Sequence, residues 1–279
     1  MNAEYPIGIF DSGVGGLSVL REIRRELPGE NLLYVADSLH APYGDKPEQL
    51  IEARSVAICE FLLKQHAKAI VVACNTATGA AIATLRARFP VPIVAMEPAV
   101  KPAVSGTKSG VVGVLATSRT LSSENFARLS ARFGADADIL VQACPGLVEQ
   151  VEAGDLSGDK TKALLNQYIL PLLKKGADTI VLGCTHYPFL APAIRKIAGP
   201  DIAIIDPNAA IARELRRRLT DAALLSQQTH AGTEQFWTSD APGKVRPVIA
   251  QLWQANIAVR SLPEAFAAEA LSHLQLDLG

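Results

Sequence analysis

Two cysteines stand in matching surroundings. Cys74 follows the apolar run Ile70-Val71-Val72-Ala73 and precedes Asn75-Thr76, and Cys184 follows Ile180-Val181-Leu182-Gly183 and precedes Thr185-His186. A free thiol is only a few per cent ionised near neutrality, so it works as an acid–base group where its surroundings assist it. One thiol on each side of a substrate carbon would let a proton leave one face while another returns to the opposite face, which is the chemistry of racemisation. Assistance is at hand in the sequence. Asn75-Thr76 is expected to open a helix over residues 77–88, whose free N–H groups and dipole favour a thiolate and also accept a substrate carboxylate. His186, two residues beyond Cys184, can hold or relay a proton. Asp11, just past the apolar run Ile7-Gly8-Ile9-Phe10, can pair with an ammonium group or tune a nearby thiol. Each residue also has a plainer reading: a cysteine at the end of a buried strand is usually an inert core residue, His186 can be a structural histidine, and Asp11-Ser12-Gly13 can be a turn and helix cap. The recurrence of the cysteine at equivalent positions weighs against the plain reading for Cys74 and Cys184. Cys59 and Cys144 read as core thiols.

The elements that must position these groups follow from hydrophobic pattern. Apolar runs rich in β-branched residues, at 7–10, 32–36, 70–73 and 92–95, alternate with stretches at helical period such as Leu17, Leu20, Ile23 and Leu27. Strands apolar on both faces and separated by helices imply a parallel sheet covered on both sides, hence the α/β class. The second half repeats the first. Val112-Gly113-Val114-Leu115 echoes Ile7-Gly8-Ile9-Phe10, Val141-Gln142-Ala143-Cys144 echoes Tyr34-Val35-Ala36-Asp37, the two cysteine blocks correspond, and Ile205-Asp206-Pro207 echoes Met96-Glu97-Pro98, all at nearly constant offset. The expected architecture is therefore two similar α/β domains with mostly parallel sheets, related by pseudo-twofold symmetry, with the active site in the cleft between them. Residues 1–97 with 208–279 are expected to form the first domain and 98–207 the second. The stretch after Asn208, with helical runs at 211–219 and 264–274 and a less regular middle, has no counterpart and is expected to pack back on the first half. Ligands of open α/β sheets bind at the carboxyl ends of strands, which groups Asp11-Ser12, Asp37, Cys74 to Thr76 and Glu97 of the first half with Thr117, Cys144 and Cys184 to His186 of the second on one edge.

Composition narrows the function classes. The 279 residues carry 27 Lys and Arg against 28 Asp and Glu, a formal net charge of -1, without the basic excess that a nucleic-acid or acidic-membrane partner favours. No apolar run approaches the roughly 18 residues of a membrane span, and the start lacks the pattern of a secretory signal. The four scattered cysteines form no C-x-x-C pair, so a cytoplasmic protein with reduced thiols is expected. Gly13, Gly15 and Gly16 lack the third glycine of G-x-G-x-x-G, and no G-K-[ST] follows, so the nucleotide signal is weak. A zinc site on Cys74, Cys184 and His186 would lack a fourth ligand and the usual spacing. No lysine stands at a strand end beside the cysteines, as a pyridoxal phosphate enzyme would need. No cofactor, no metal and a small-molecule substrate are expected; a non-catalytic binding module is the alternative from another class.

Taken together, Ile9-Phe10-Asp11-Ser12-Gly13-Val14-Gly15-Gly16-Leu17, Pro42-Tyr43-Gly44, Ala73-Cys74-Asn75-Thr76-Ala77 and Gly183-Cys184-Thr185-His186-Tyr187-Pro188 resemble the bacterial glutamate racemase family, over residues 7 to about 212. The resemblance implies a cofactor-independent, two-base racemase that supplies D-glutamate for peptidoglycan, with racemases of aspartate or another acidic amino acid as the neighbouring alternative. It implies that Cys74 takes the α-proton from D-glutamate and Cys184 from L-glutamate, with Asp11 assisting Cys74 and His186 assisting Cys184. Asp37 and Glu152 match further acidic positions of the family's site, which implies a catalytic part for both, and Glu149, one turn from Glu152, competes with it for the cleft. Ser12, Pro42, Tyr43 and Gly44 would hold one end of the substrate, and Asn75, Thr76, Thr117, Thr120 and Thr185 the other. Members of the family often form homodimers. Some are activated by a cell-wall precursor through an N-terminal extension; the few residues before Asp11 imply that this control is absent here.

Overall fold

The structure is a computed structural model and describes residues 2–267. Its first sheet has six strands in the order β10-β9-β2-β1-β3-β4 and its second has four in the order β6-β5-β7-β8, every pairing parallel. In chain order, β1 (Ile7–Asp11) leads through helix α1 (Leu17–Glu26) to β2 (Leu32–Ala36), α2 (Glu48–Lys64), β3 (Ala69–Val72), α3 (Asn75–Arg88) and β4 (Ile93–Ala95). The second sheet follows α4 (Val100–Gly106): β5 (Val111–Ala116), α5 (Ser118–Leu121), α6 (Glu124–Phe133), β6 (Asp138–Ala143), α7 (Leu147–Glu152), α8 (Asp159–Lys174), β7 (Thr179–Leu182), α9 (Ala191–Ala198) and β8 (Ala203–Ile205). The chain then forms α10 (Asn208–Asp221), β9 (Glu234–Thr238), α11 (Pro242–Trp253), β10 (Val259–Ser261) and the turn α12 (Glu264–Ala267). The helix expected over 264–274 lies outside the described residues beyond Ala267.

The repeat read from the sequence is present as topology: β2-β1-β3-β4 and β6-β5-β7-β8 have the same order. In each, the chain runs one way from the central strand and then reverses to its other side, which leaves a crevice at the carboxyl ends of the two strands flanking the reversal. Those strands are β1 and β3 in the first sheet and β5 and β7 in the second, and their ends carry Asp11, Cys74, Thr117 and Cys184. Every residue of β1, β2, β3 and β7 is buried, which is why their sequences are apolar on both faces.

Two differences from expectation matter. The stretch after α10 is more regular than its composition indicates, for β9 pairs along the whole of β2, from Leu32 opposite Glu234 to Ala36 opposite Thr238, and β10 extends the sheet further. Glu234-Gln235-Phe236-Trp237-Thr238 has too few apolar residues to announce a strand; its place in the sheet is decided by pairing with β2 rather than by local pattern. In addition, α3 begins at Asn75 rather than at residue 77, and Cys74 is its N-cap.

Candidate active site

The capping geometry gives Cys74 its setting. Its Sγ accepts a hydrogen bond from Ala77 N at 3.4 Å, a place commonly filled by Ser, Thr, Asp or Asn. Its thiol donates to Ser12 Oγ at 3.8 Å, and that hydroxyl donates to Asp11 Oδ1 at 3.3 Å. Asp11 is fully buried, with Oδ2 accepting from Gly16 N at 2.7 Å. Burial drives the Asp11 carboxyl above the ordinary aspartate range, partly opposed by the nearby His186. Burial first, then the charge of Asp11, pushes the Cys74 thiol well above the ordinary thiol range, with the Ala77 N–H pulling the other way. The resulting chain is thiol, hydroxyl, carboxylate.

Cys184 has a stronger relay. Its Sγ lies 3.6 Å from His186 Nδ1, and His186 Nε2 lies 2.7 Å from Glu152 Oε1 at the end of α7. Burial alone would lower the imidazole, but the hydrogen bonds with Cys184 and Glu152 and the charge of Asp11 hold it well above the ordinary histidine range. Between Glu149 and Glu152, it is Glu152 that meets the histidine, and its Oε1 also accepts from Val14 N at 2.8 Å. That contact accounts for two of the glycines. A Cβ at Gly13 would lie 1.8 Å from Glu152 Oε1, and one at Gly15 would lie 2.2 Å from His186 Nδ1. The glycine-rich loop is a seat for the acid–base pair of the opposite half, not a phosphate cradle.

Both thiols open on one tight cavity of about 10 Å3, lined by Ser12, Pro42, Tyr43, Gly44, Cys74, Asn75, Thr76, Thr117, Val148, Gly183, Cys184, Thr185 and His186. Beside the thiols, Tyr43 and His186, its polar lining consists of short neutral groups: Ser12, Asn75, Thr76, Thr117 and Thr185. Thr76 Oγ1 lies 3.0 Å from Thr117 Oγ1 and 3.2 Å from Thr120 Oγ1, so the hydroxyls of the two halves satisfy one another, with Thr120 just behind the wall. Both side-chain polar atoms of Asn75 are buried without a partner. Such an array is ready to accept a carboxylate, since a buried polar group without a partner is costly and a ligand that supplies one regains that energy. Further bonds join the halves: Thr185 Oγ1 to Asp11 Oδ2 at 3.3 Å, and Ser18 Oγ to Thr185 O at 2.8 Å.

Asp37, expected among the catalytic acids, is placed behind the cavity wall rather than on it. It is completely buried and does not line the cavity; Arg54 Nε and Nη2 donate to its two oxygens at 3.0 and 2.8 Å, Tyr43 Oη donates to Oδ2 at 2.5 Å, and His40 Nδ1 lies 3.2 Å from Oδ1. Burial would raise this carboxyl, but hydrogen bonds from His40 and Arg54 outweigh it and hold Asp37 well below the ordinary range. Its oxygens are committed to these partners. Glu97, also at a strand end, is exposed. Cys59 and Cys144 are buried, and burial pushes both thiols up, as core residues require.

Sequence reasoning missed Val148, Gly183 and Arg54. The signal for Arg54 was available: it follows Ile51 by three residues and precedes Ile58 by four, which puts a charge on the apolar stripe of α2. Among the described residues no group of three or more His, Cys, Asp or Glu side chains is arranged to hold a metal.

Comparison with known proteins agrees with this geometry. The family model described as Asp/Glu/Hydantoin racemase matches residues 7–215. The chain belongs to this racemase family. Within it, the chain is 56% identical over 265 residues to a protein from Methylococcus capsulatus named glutamate racemase, covering 95% of this chain and 98% of that one. Two crystal structures of family members are also similar. Escherichia coli glutamate racemase in complex with L-glutamate and the activator UDP-MurNAc-ala has a TM-score of 0.82 at 33% identity, covering 92% of this chain and 98% of that one. Francisella tularensis glutamate racemase in complex with D-glutamate has a TM-score of 0.81 at 28% identity, covering 94% and 98%. As a racemase, the chain has the two-sheet architecture of these relatives.

Proposed function

We propose that this chain interconverts L- and D-glutamate by a cofactor-independent two-base mechanism and so supplies D-glutamate for peptidoglycan. The observation that carries the reading is the pair of cysteines at equivalent strand ends of two like-ordered sheets, lining one cavity, each backed by a hydrogen-bonded carboxylate. In the L-to-D direction the Sγ of Cys184 takes the α-proton, so the Cα–H bond breaks as an S–H bond forms. Cys74 then gives its thiol proton to the opposite face of Cα. In the reverse direction the roles exchange. His186, held by Glu152, keeps its own proton beside Cys184 and so favours the thiolate that takes the α-proton, while Ser12 with Asp11 can accept the proton that arrives on Cys74. The hydroxyls of Thr76, Thr117 and Thr185, with Asn75, hold a substrate carboxylate while Thr120 backs Thr76 and Thr117, and they stabilise the charge that develops as the proton leaves, because fixed dipoles in a dry site need no reorganisation. Pro42, Tyr43 and Gly44 shape the other wall beside Ser12. Asp37 acts on that wall from behind.

The functional division follows the same lines: residues 1–97 with 208–279 carry Cys74, and residues 98–207 carry Cys184. No helix among the described residues is long and apolar enough to cross a membrane, and the reading places the enzyme in the cytoplasm, as a homodimer that sedimentation would test. The deciding experiment follows L-glutamate by circular dichroism in D2O with enzyme freed of metal and pyridoxal. Decay of the signal to zero with deuterium at Cα is expected. An unchanged signal from folded protein refutes the assignment to glutamate, and L-aspartate is then the next substrate to test.

A further inference from the structure

Arg54 of α2 is completely buried beneath the carboxyl end of β2. Its two hydrogen bonds to Asp37 form the forked geometry in which a guanidinium is rigid and a lysine is not. The carboxylate it fixes is in turn the anchor for both ends of a short loop, since Asp37 starts the segment, His40 lies on Oδ1, and the Tyr43 hydroxyl donates to Oδ2. The same loop supplies Pro42, Tyr43 and Gly44 to the cavity wall. On its far side it meets the second half: Arg119 Nη2 donates to Lys46 O at 2.8 Å, and a Cβ on Gly44 would come within 3.2 Å of the Thr117 side chain. The position of this wall against Thr117 is thus set from below by one buried ion pair.

Stability is a poor explanation for that pair. Burying two charges is expensive, and well-packed apolar residues of similar volume often do as well or better. Arg54 is not even fully used, since its Nη1 is buried and without a partner among the described residues. An ion pair, however, fixes direction in a way an apolar contact does not, and here the direction fixed is that of Tyr43 and its neighbours. Building on the racemase reading above, we propose that Arg54 is a positioning residue for substrate capture: through Asp37 and Tyr43 it holds the Pro42-Tyr43-Gly44 wall in the shape that binds the amino acid, and it takes no part in moving the α-proton.

The test uses two variants of the full chain. In Arg54→Lys the charge remains but the fork is lost, and in the double variant Asp37→Asn with Arg54→Met both charges go while Tyr43 keeps an acceptor. For each, KM for L-glutamate should rise by about tenfold while kcat stays within about threefold, the pattern of lost binding common to ground and transition states. The rise in melting temperature on adding L-glutamate should shrink in parallel, because ligand stabilisation depends on the ratio of ligand concentration to Kd. A folded variant with wild-type KM overturns the proposal, as does a fall in kcat at unchanged KM, which would put Arg54 in the chemical step. Should the double variant fail to fold, Arg54→Lys decides by the same criteria. The wild-type control separates this inference from the functional assignment: protein that does not turn over glutamate removes both, and normal turnover with an unmoved KM in the variants removes the positioning role alone.

Discussion

The seat formed by Gly13 makes a sharp prediction about the Cys184 relay. In Gly13→Ala the new methyl would lie 1.8 Å from Glu152 Oε1, a distance no pair of such atoms sustains. The backbone at Gly13 is not in the left-handed region, so alanine is compatible with the loop itself. The Glu152 carboxylate must therefore yield. It has room to do so, for it borders a second, open cleft of about 740 Å3 lined by Val14, Glu149, Ala153, Val245 and Val248 among others. Swinging away breaks its hydrogen bonds with Val14 N and with His186 Nε2. Hydrogen bonds involving a charged group contribute about 1.5–3 kcal/mol. If the bond to His186 is lost from the transition state, kcat/KM falls by about 10- to 150-fold. The two enantiomers have equal free energy, so the fall must be the same in both directions. Glu152 also helps His186 keep its proton, so the alkaline limb of the rate profile should move to lower pH. Polarimetric rates from pH 6 to 10 for Gly13→Ala, Glu152→Ala and the double variant complete the cycle, and the double variant should be no worse than Glu152→Ala alone. A wild-type rate and profile in Gly13→Ala, or losses that simply add, would refute the claim that this glycine exists to seat Glu152.

Three further outcomes are expected. Cys74→Ser and Cys184→Ser should each lower racemisation by about 10^2- to 10^4-fold, the usual worth of a positioned acid–base group, while thermal unfolding stays close to wild type. Thr76→Val should raise KM for glutamate by about tenfold through loss of the hydroxyl that meets Thr117 and Thr120, measured by steady-state kinetics. Asp37→Asn should destabilise the protein at pH 7 by about 3–5 kcal/mol, because it leaves Arg54 buried without its counter-charge. The folded-state pKa of Asp37 is depressed, so its contribution is complete above the unfolded value of about 3.9 and is lost as pH falls through the folded value. Denaturation midpoints of wild type and variant should therefore converge in acid; a gap that stays constant down to about pH 2.5 would contradict the ion-pair origin of the effect.

What the sequence discloses and what it withholds divide along physical lines. Strands buried on both faces, β1, β2, β3 and β7, announce themselves because each residue must be apolar whatever its neighbours, whereas β6 and β8, which hold no buried residue, are marked by their place in the repeat. The strand ends then located Asp11, Cys74, Thr117 and Cys184 without any knowledge of tertiary contacts. Direction was harder. Asp37 stands at a strand end like Asp11, yet its carboxylate turns to Arg54, seventeen residues away in the chain and on another element. Glu149 and Glu152 differ only by one helical turn, and the choice between them depends on where the loop from the other half comes to rest. The helix α3 starts early because a cysteine caps it, a use of the residue that propensities do not anticipate. The strand β9 is recognised only by the edge of β2 to which it adds.

The unlikeness of the two relays, set within halves of like topology, is itself informative. A racemase cannot prefer one enantiomer in kcat/KM, since the equilibrium between them is unity, but it needs one group to hold a proton while the other accepts one. Here Cys74 is paired with a neutral hydroxyl and a buried carboxyl, whose charge works against a thiolate, whereas Cys184 faces an imidazole that holds its own proton strongly. The topological repeat sets the two thiols at equivalent strand ends lining one cavity, and the sequence differences at Ser12 and His186 give them unlike partners. Two contacts beside the relays, Glu152 with Val14 and Thr185 with Asp11, cross between the two halves. Each relay is complete within its own half, Cys74 with Ser12 and Asp11 and Cys184 with His186 and Glu152, and the crossing contacts fix the two relays relative to one another.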